Sequence, residues 1–236
     1  MFIKAGDLKS SDYNGIPEMA AWRLHSDISG ILEPFLKGKR KVLDFGCGQG
    51  AFSQRMVDRG MTVDACDIDI SQIKANVERK IQLDLNREIP SGTFTGKYDV
   101  VLAIEIIEHL QNPWKYLGDC RNLLEDGGII VLTTPNISNF ISRLRFFMKG
   151  TLLAYENADL KHGHITPLSF IQIENLCRSL SLEILKTGSA GPIPLIHLYQ
   201  ISRFTILRNT ILPLLYPFMA GPKQGRSLVY ILKKKD

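Results

Sequence analysis

The sequence predicts an α/β fold built on a doubly wound, mostly parallel sheet, and two observations support this prediction. Between residues 42 and 133, short apolar segments alternate with segments whose apolar residues have helical spacing. That alternation is typical of parallel strands joined by right-handed helical crossovers. The apolar segment 42–45 also ends in the turn Gly-Cys-Gly-Gln-Gly at 46–50. Backbone without side chains can approach a nucleotide-like ligand closely, so this turn marks a ligand-binding edge of the sheet.

The individual elements follow from local patterns. Apolar residues at helical spacing predict a helix over 17–36, after an irregular segment at 1–16. The helix predicted after the glycine turn, over 51–59, stops at Gly60. A Val-rich, continuous segment at 98–104 is typical of a strand buried on both faces. The other predicted strands cover 62–66, 80–83, 129–133, 182–186 and 227–232, and the other predicted helices cover 71–79, 114–124 and 169–180.

Length and composition indicate a single domain over residues 1–236. With 236 residues, of which 44% are hydrophobic and 22% charged, the chain is long enough to bury a sizeable core. The net charge of +5 permits an anionic substrate, a nucleic acid or an acidic membrane surface, and requires none of them. The four cysteines are far apart and form no C-x-x-C pair, which predicts reduced thiols in a cytoplasmic protein.

Two insertions, at about 136–161 and 191–225, interrupt the alternation and are expected to cap the ligand edge, where substrates are selected. In the first, Phe and Arg interleave over 140–147. That pattern fits a helix that closes the pocket, a surface that binds an RNA end or a contact with an anionic membrane. In the second, only Arg203 and Arg208 carry fixed charge between residues 193 and 219. This segment must pack as a lid, dimerise or lie on lipid, and the sequence leaves these alternatives and the oligomeric state open.

Acidic residues stand where the predicted strands end. In open α/β sheets the ligand lies beyond the carboxyl ends of the strands. Asp67 follows Gly50 by 17 residues, where a carboxylate can accept both hydroxyls of a ribose. Asp69 competes for that role, and a plain strand-end cap is the alternative for Asp67. For Asp84, which follows the third strand, a plain strand-end cap is likewise the alternative to ligand binding.

These features resemble the class I S-adenosylmethionine-dependent methyltransferases, firmly over about 40–136 and loosely over the last strands. The resemblance implies a Rossmann-like, seven-stranded sheet with an antiparallel last strand and helical insertions after strands five and six. A nicotinamide-binding turn is disfavoured, because the third glycine follows the second by two residues and dinucleotide folds use three. The residues that carry the resemblance are Asp44, Gly46, Gly48, Gly50, Asp67, Asp84-Leu85, Glu105-Ile106-Ile107-Glu108-His109-Leu110, Leu124-Glu125-Asp126-Gly127-Gly128 and Thr134-Pro135-Asn136.

The same resemblance implies how S-adenosyl-L-methionine (SAM) is bound. The methionine part is expected at the glycine turn, the ribose at the end of strand two, and the adenine beside the ends of strands two and three. Backbone after strand four is expected to close over the site. In that order, the implied cofactor-binding residues are Asp44, Gly46, Cys47, Gly48 and Gly50, then Asp67, then Ile68, Asp84 and Leu85, then Ile104.

A Glu-x-x-Glu-His segment, residues 105–109, follows strand four at the mouth of this site, and His164 lies 55 residues beyond His109. If a helix begins there, positions 105, 108 and 109 share one face. The arrangement resembles the ubiquinone-biosynthesis O-methyltransferases and the small-RNA 2′-O-methyltransferases, whose corresponding residues bind a metal that grips the hydroxyl. The resemblance implies Glu105, Glu108, His109 and His164 as ligands of a divalent ion such as Mg²⁺. The alternatives are catalysis by His109, His164 and Glu105 without a metal, and a structural role.

The predicted function is therefore SAM-dependent O-methylation of a small or lipid-linked metabolite, such as a quinone precursor or a sugar. Transfer from a sulfonium needs an aligned nucleophile, and a hydroxyl also needs a base or a metal. Peripheral membrane contact through 193–219 would suit a lipid-linked substrate. One alternative is an RNA 2′-O-methyltransferase, although the scattered positive charge forms no long basic stripe for nucleic acid. The other is a non-catalytic methyltransferase-fold binding protein, which the intact cofactor residues disfavour.

Overall fold

A computed structural model describes residues 11–191 and 225–235, and a seven-stranded sheet forms the centre of the fold. The strands of this sheet are β3 (Lys41–Phe45), β4 (Thr62–Asp67), β5 (Arg79–Gln82), β6 (Tyr98–Ala103), β7 (Leu124–Pro135), β8 (Leu182–Ala190) and β9 (Ser227–Lys234). They lie in the order β5-β4-β3-β6-β7-β9-β8. The pairs from β5 to β7 are parallel, and β9 is antiparallel to both of its neighbours. The predicted mostly parallel sheet with an antiparallel last strand is confirmed.

Helices cover both faces of the sheet, as expected for a doubly wound fold. The helices are α1 (Leu24–Leu32), α2 (Ala51–Val57), α3 (Pro113–Leu123), α4 (Phe140–Lys149), α5 (Asn157–Lys161) and α6 (Phe170–Ser179). Buried residues of α1 and α2, such as Ile28 and Met56, form one core with the sheet. Tyr116 of α3 and Leu176 of α6 belong to the core on the other face. Each such side chain stabilises the fold by about 1.5–3 kcal/mol when it is fully buried.

The strand order places a ligand site between β3 and β6. From β3 the chain moves outward through β4 to β5, and then returns to β6 on the other side of β3. Such a reversal opens a crevice at the carboxyl ends of the two central strands. The glycine turn follows β3, and the Glu-x-x-Glu-His segment follows β6. The topology therefore brings the two sequence motifs to one crevice.

The first predicted insertion is helical, as expected, and consists of α4, α5 and their connections. The second predicted insertion, including the membrane-contact segment 193–219, lies outside the described residues except at its two ends. One end is held by a hydrogen bond from the Gly191 amide to Asp27 at 3.0 Å, and the other by a bond from the Arg226 amide to the Ala190 carbonyl at 3.0 Å. None of the helices in the described part of the chain is long and apolar enough to cross a membrane.

Three local predictions are wrong. Residues 12–17 are not irregular, because β1 (Asp12–Tyr13) and β2 (Ile16–Pro17) form a small hairpin. The first helix begins at Leu24 rather than at residue 17. No helix covers 71–79: Asp69 accepts hydrogen bonds from the amide and hydroxyl of Ser71 and closes a single 3₁₀ turn. The chain then packs Ile73 and Ala75 against the glycine turn, so tertiary contact overrides the helical spacing.

Candidate active site

The glycine turn after β3 has the backbone that its sequence predicts. Gly46, Gly48 and Gly50 have φ angles of 109°, 55° and 86°, in a region that glycine enters without a steric cost. The amides of Gly46 and Cys47 donate to the carbonyl of Cys66 at 2.9 and 3.0 Å. These two bonds fasten the turn to the end of β4.

The three glycines have different surroundings. A Cβ at Gly46 would lie 2.5 Å from Cγ1 of Ile106, and one at Gly50 would lie 2.7 Å from Cβ of Ala75. A Cβ at Gly48 would meet no atom of residues 11–191 or 225–235 within 4 Å. Packing within the protein therefore explains Gly46 and Gly50, whereas Gly48 exposes its backbone to open space that a ligand can enter.

Asp67, at the end of β4, supports the exposed part of this turn. Its Oδ2 accepts a hydrogen bond from the Gly48 amide at 2.8 Å. A carboxylate has about four acceptor sites, so Asp67 keeps capacity for ligand hydroxyls. Asp69 instead directs both carboxylate oxygens to Ser71 and Gln72. Of the two competing acids, Asp67 is the one that contacts the glycine turn.

Asp44 lies behind the turn and is almost fully buried. The Ser53 hydroxyl donates to its Oδ2 at 2.6 Å. Burial, together with the negative charge of Asp67 and against the Ser53 hydrogen bond, raises the pKa of Asp44 to about 7. Cys47 is half-buried beside these acids, and burial likewise raises the pKa of its thiol. The thiol is therefore protonated at neutral pH and is a poor nucleophile.

The predicted adenine-binding residues differ in their exposure. Ile68 presents a side chain that is 63% exposed, whereas Leu85 and Ile104 are buried. Asp84 accepts from the Nε of Arg87 at 3.1 Å and from the amide two residues beyond it at 3.0 Å. Its carboxylate therefore already closes a local turn, as the strand-end alternative expects.

The Glu-x-x-Glu-His segment packs directly on the glycine turn. Its residue Ile106 is the side chain that would meet a Cβ at Gly46. Residues Ile107–His109 form one 3₁₀ turn, and Glu105 has a φ of 50°. Such a conformation costs roughly 1–2 kcal/mol for a residue with a Cβ, and strain of this kind concentrates at functional sites.

Glu105 is not on a shared face with the other two residues, contrary to the expectation for a helix at this position. The Thr133 hydroxyl donates to its Oε1 at 2.9 Å, and the Ser227 hydroxyl donates to its Oε2 at 3.0 Å. Because its backbone is left-handed and the 3₁₀ turn begins two residues later, its carboxylate points to β7 and β9. Burial raises the pKa of Glu105 above its usual value.

The structure brings the other three residues together. One oxygen of Glu108 and one ring nitrogen each of His109 and His164 lie within 4.8 Å of one another. Glu108 is fully buried, and within the described part of the chain the Thr134 hydroxyl is close enough to lower its pKa but forms no well-aligned hydrogen bond with either carboxylate oxygen. Burial and, to a smaller extent, the charge of Glu105 raise the pKa of Glu108 well above its usual value. Burial, followed by His164, lowers the pKa of His109. The cluster thus combines an unpartnered acid with imidazoles held close together.

The ring of His164 has a defined tautomer. Its Nδ1 lies 2.8 Å from the carbonyl oxygen of Ala154. A carbonyl can only accept, so Nδ1 carries a hydrogen, and in the neutral imidazole Nε2 then carries the lone pair. The carbonyl of Glu108 accepts from the amides of Ile165 and Thr166 at 3.0 and 2.9 Å, which fixes the two histidine-bearing segments to each other. In the neutral ring, Nε2 of His164 is therefore an acceptor, and no residue within 11–191 or 225–235 is hydrogen-bonded to it.

Sequence reasoning missed three residues that shape this site. Thr133 and Ser227 anchor Glu105 from β7 and β9. Thr133 gave a weak signal, because it is a polar residue at the buried end of an apolar strand. Ala154 acts through its carbonyl oxygen, which every residue type has, so no side-chain pattern reveals it.

Comparison with known proteins identifies the family. Residues 20–187, more than half of the chain, match a family model described as a methyltransferase domain. The chain belongs to this methyltransferase family. The expected class of enzyme, a SAM-dependent methyltransferase, is confirmed by this match together with the named relatives.

Similar curated proteins carry the name ubiquinone biosynthesis O-methyltransferase. The present chain is 29% identical to the one from Azoarcus sp. (strain BH72) over 179 residues, which cover 72% of this chain and 75% of that protein. It is 36% identical to the one from Psychrobacter cryohalolentis over 120 residues, which cover 47% of this chain and 46% of that protein. The match thus spans about half the length of the second relative.

Solved structures confirm the Rossmann-like fold. A SAM-dependent methyltransferase from Archaeoglobus fulgidus superposes with a TM-score of 0.60 at 18% identity, covering 89% of this chain and 94% of that one. The magnesium protoporphyrin IX methyltransferase of Synechocystis PCC 6803 was solved with bound S-adenosylhomocysteine (SAH). It superposes with a TM-score of 0.57 at 13% identity, covering 89% of this chain and 83% of that one. At these identities the likeness establishes the fold of the methyltransferase and nothing finer.

Proposed function

We propose that this methyltransferase transfers the methyl group of SAM to a hydroxyl oxygen of a small or lipid-linked metabolite, such as a quinone precursor or a sugar. The observation that carries this proposal is the cluster of Glu108, His109 and His164, on a segment that packs against the glycine turn. A hydroxyl needs help in losing its proton, whereas amines and thiols need less. The names of the curated relatives support oxygen as the accepting atom.

The glycine turn and its neighbours fit SAM. Gly48 offers open backbone, and Asp67 has free acceptor capacity beside it. We assign the ribose hydroxyls to Asp67, the methionine part to the turn in front of Asp44, and one face of the adenine to the exposed Ile68. When bound, SAM supplies a methyl group on a sulfonium, whose sulfur is a good leaving group because it departs as a neutral thioether. The protein has to align the accepting oxygen and remove its proton.

His164 is the residue best placed to take that proton. Its Nδ1 is occupied by the Ala154 carbonyl, so in the neutral ring the Nε2 lone pair is left for the substrate. In this mechanism the substrate hydroxyl donates to Nε2, and the proton moves to the imidazole as the oxygen is methylated. Burial lowers the pKa of His109, so that neighbouring ring stays neutral and places no positive charge beside His164 as it takes the proton.

A metal-assisted version of this reaction is favoured by one further observation, the two unpartnered carboxylate oxygens of the buried Glu108. Glu108, His109 and His164 would hold the ion, which would lower the pKa of a hydroxyl bound to it. One carboxylate and two imidazoles suit Mn²⁺ or Zn²⁺ better than Mg²⁺, which prefers oxygen ligands. Glu105 is the implied fourth ligand, but its oxygens are engaged by Thr133 and Ser227.

The test is methyl transfer from labelled SAM into cell extract separated into lipid, small-molecule and RNA fractions, with and without a chelator. The proposal expects label in the lipid or small-molecule fraction. Label confined to RNA would overturn it in favour of RNA methylation, and cofactor binding without any label would indicate a binding protein. Equal methyl transfer with and without the chelator would exclude a role for a metal in the reaction.

A pair of variants tests the catalytic assignment. We expect His164→Gln to lower transfer by about 10²-fold or more, the usual contribution of a general base. His162→Gln replaces an exposed histidine of the same segment and should match the parent. Equal activity of His164→Gln and His162→Gln would remove His164 from the mechanism.

A further inference from the structure

We propose that Ser142 and Arg145 on α4 are positioning residues that fix the tautomer and orientation of His164. The proposal rests on the proposed function for the role of His164 itself. Both residues belong to the first insertion and act through the 150–164 segment, which connects α4 to His164. The insertion would then contribute to catalysis as well as to covering the site.

The first connection runs through Ser142 to the side chain of His164. Ser142 is fully buried, and its Oγ accepts a hydrogen bond from the Leu153 amide at 3.0 Å. The next residue, Ala154, supplies the carbonyl that holds Nδ1 of His164 at 2.8 Å. Ala154 has a φ of 66°, which is sterically unfavourable for a residue with a Cβ. The Ser142 bond therefore anchors the peptide that precedes a strained residue.

The second connection runs through Arg145 to the backbone of His164. Arg145 forms an ion pair with Glu156. Glu156 caps α5 in a reciprocal arrangement, in which it accepts from the Asp159 amide and its own amide donates to the Asp159 carboxylate at 2.9 Å. The carbonyl of Asp159 in turn accepts from the His164 amide at 3.2 Å. Arg145 therefore contacts Glu156, and Glu156 caps α5. Helix α5 in turn holds the His164 backbone through the Asp159 carbonyl.

The two connections constrain His164 at different points, one at the ring and one at the main chain. Helix α5 has only five residues, and helices of that length are unstable without external contacts. If the connections are lost, the Ala154 carbonyl no longer meets Nδ1, and the neutral imidazole can place its hydrogen on either nitrogen. A hydrogen on Nε2 would block the acceptor that the substrate needs.

The experiment compares Ser142→Ala, Arg145→Met and Glu156→Gln with the parent. Arg145→Lys keeps a cation opposite Glu156 and serves as the conservative rescue. Lys149→Met, which removes an exposed positive charge from the same helix, is the matched control. Each protein is measured by methyl transfer to the extract fraction that accepts label, by SAH affinity, by melting temperature and by long-range ¹H–¹⁵N spectra of the neutral imidazoles. The His164 signal is assigned by its absence in His164→Gln.

We expect transfer to fall about tenfold or more in the three test variants, as partial loss of general-base alignment predicts. SAH affinity should stay within about twofold, since it depends on the glycine turn rather than on α4. The His164 spectrum should change from the Nδ1–H form to a mixture, while Arg145→Lys and Lys149→Met keep the parent spectrum and rate.

The parent tautomer and rate in the folded test variants would overturn this inference. If Arg145→Met or Ser142→Ala melts below the assay temperature, Glu156→Gln decides, because its neutral amide oxygen can still cap α5. Failure of the proposed function has a different result: His164→Gln would keep its activity. The tautomer measurement would still report whether α4 positions the ring.

Discussion

An alanine at Gly48 tests whether the glycine turn holds the cofactor. Gly48 has a φ of 55°, and a Cβ there would meet no atom of the described residues within 4 Å. The only cost to the fold is the left-handed conformation, about 1–2 kcal/mol, which lowers the melting temperature by about 2–8 °C in a domain of this size. The new methyl group nevertheless occupies the space in which the proposed ligand meets the backbone.

Binding of SAH should therefore fall much more than stability does. We expect the affinity of Gly48→Ala to drop at least about tenfold, or about 1.4 kcal/mol, as measured by titration calorimetry on protein that is shown by its melting curve to be folded. A variant that binds SAH as tightly as the parent would show that the open space at Gly48 is not the cofactor site.

Gly50→Ala is the contrasting variant for this experiment. Its Cβ would lie 2.7 Å from Cβ of Ala75, and its φ is 86°. Overpacking of about 1–3 kcal/mol adds to the left-handed cost of about 1–2 kcal/mol. Gly50→Ala should thus destabilise the fold more than Gly48→Ala does. The reverse order of melting temperatures would contradict the assignment of packing to Gly50 and ligand contact to Gly48.

Two buried groups give pH-dependent stability of opposite sign. Burial raises the pKa of Asp44 from 3.8 to about 7, so stability falls as pH rises across that interval, by at most about 4 kcal/mol. Asp44→Asn should raise the urea midpoint more at pH 8 than at pH 4, and equal changes would refute this. Burial lowers the pKa of His25 from 6.5 to about 4, partly opposed by Glu18. Its contribution is complete above pH 6.5 and is lost toward pH 4, by at most about 3 kcal/mol. The urea midpoint of His25→Gln should therefore change less between pH 6.5 and pH 4 than that of the control His162→Gln. Equal changes would exclude His25 as the source of this pH dependence.

Much of the fold was predictable because its signals are local and repeated. Alternating apolar segments predicted the sheet, and the glycine spacing predicted the turn after β3. The helix expected over 71–79 failed because Asp69 closes a 3₁₀ turn and Ala75 is drawn against Gly50. A side-chain pattern alone does not contain that contact.

The candidate site was predictable in its residue types and only partly in its geometry. The Glu-x-x-Glu-His spacing indicated a cluster, and Glu108 and His109 do meet His164. Glu105 leaves that cluster because its backbone is left-handed and because Thr133 and Ser227 engage its carboxylate. Those partners come from strands far apart in sequence, so only the assembled sheet reveals them.

The central claim is that SAM lies across the glycine turn with its ribose on Asp67. Titration calorimetry of SAH against Asp67→Asn and Asp69→Asn tests it most directly, because the two acids are neighbours and only Asp67 contacts the turn. We predict an affinity at least about tenfold weaker than the parent for Asp67→Asn and an unchanged affinity for Asp69→Asn. Parent-like binding by Asp67→Asn, or a loss seen only in Asp69→Asn, would contradict this placement of the cofactor.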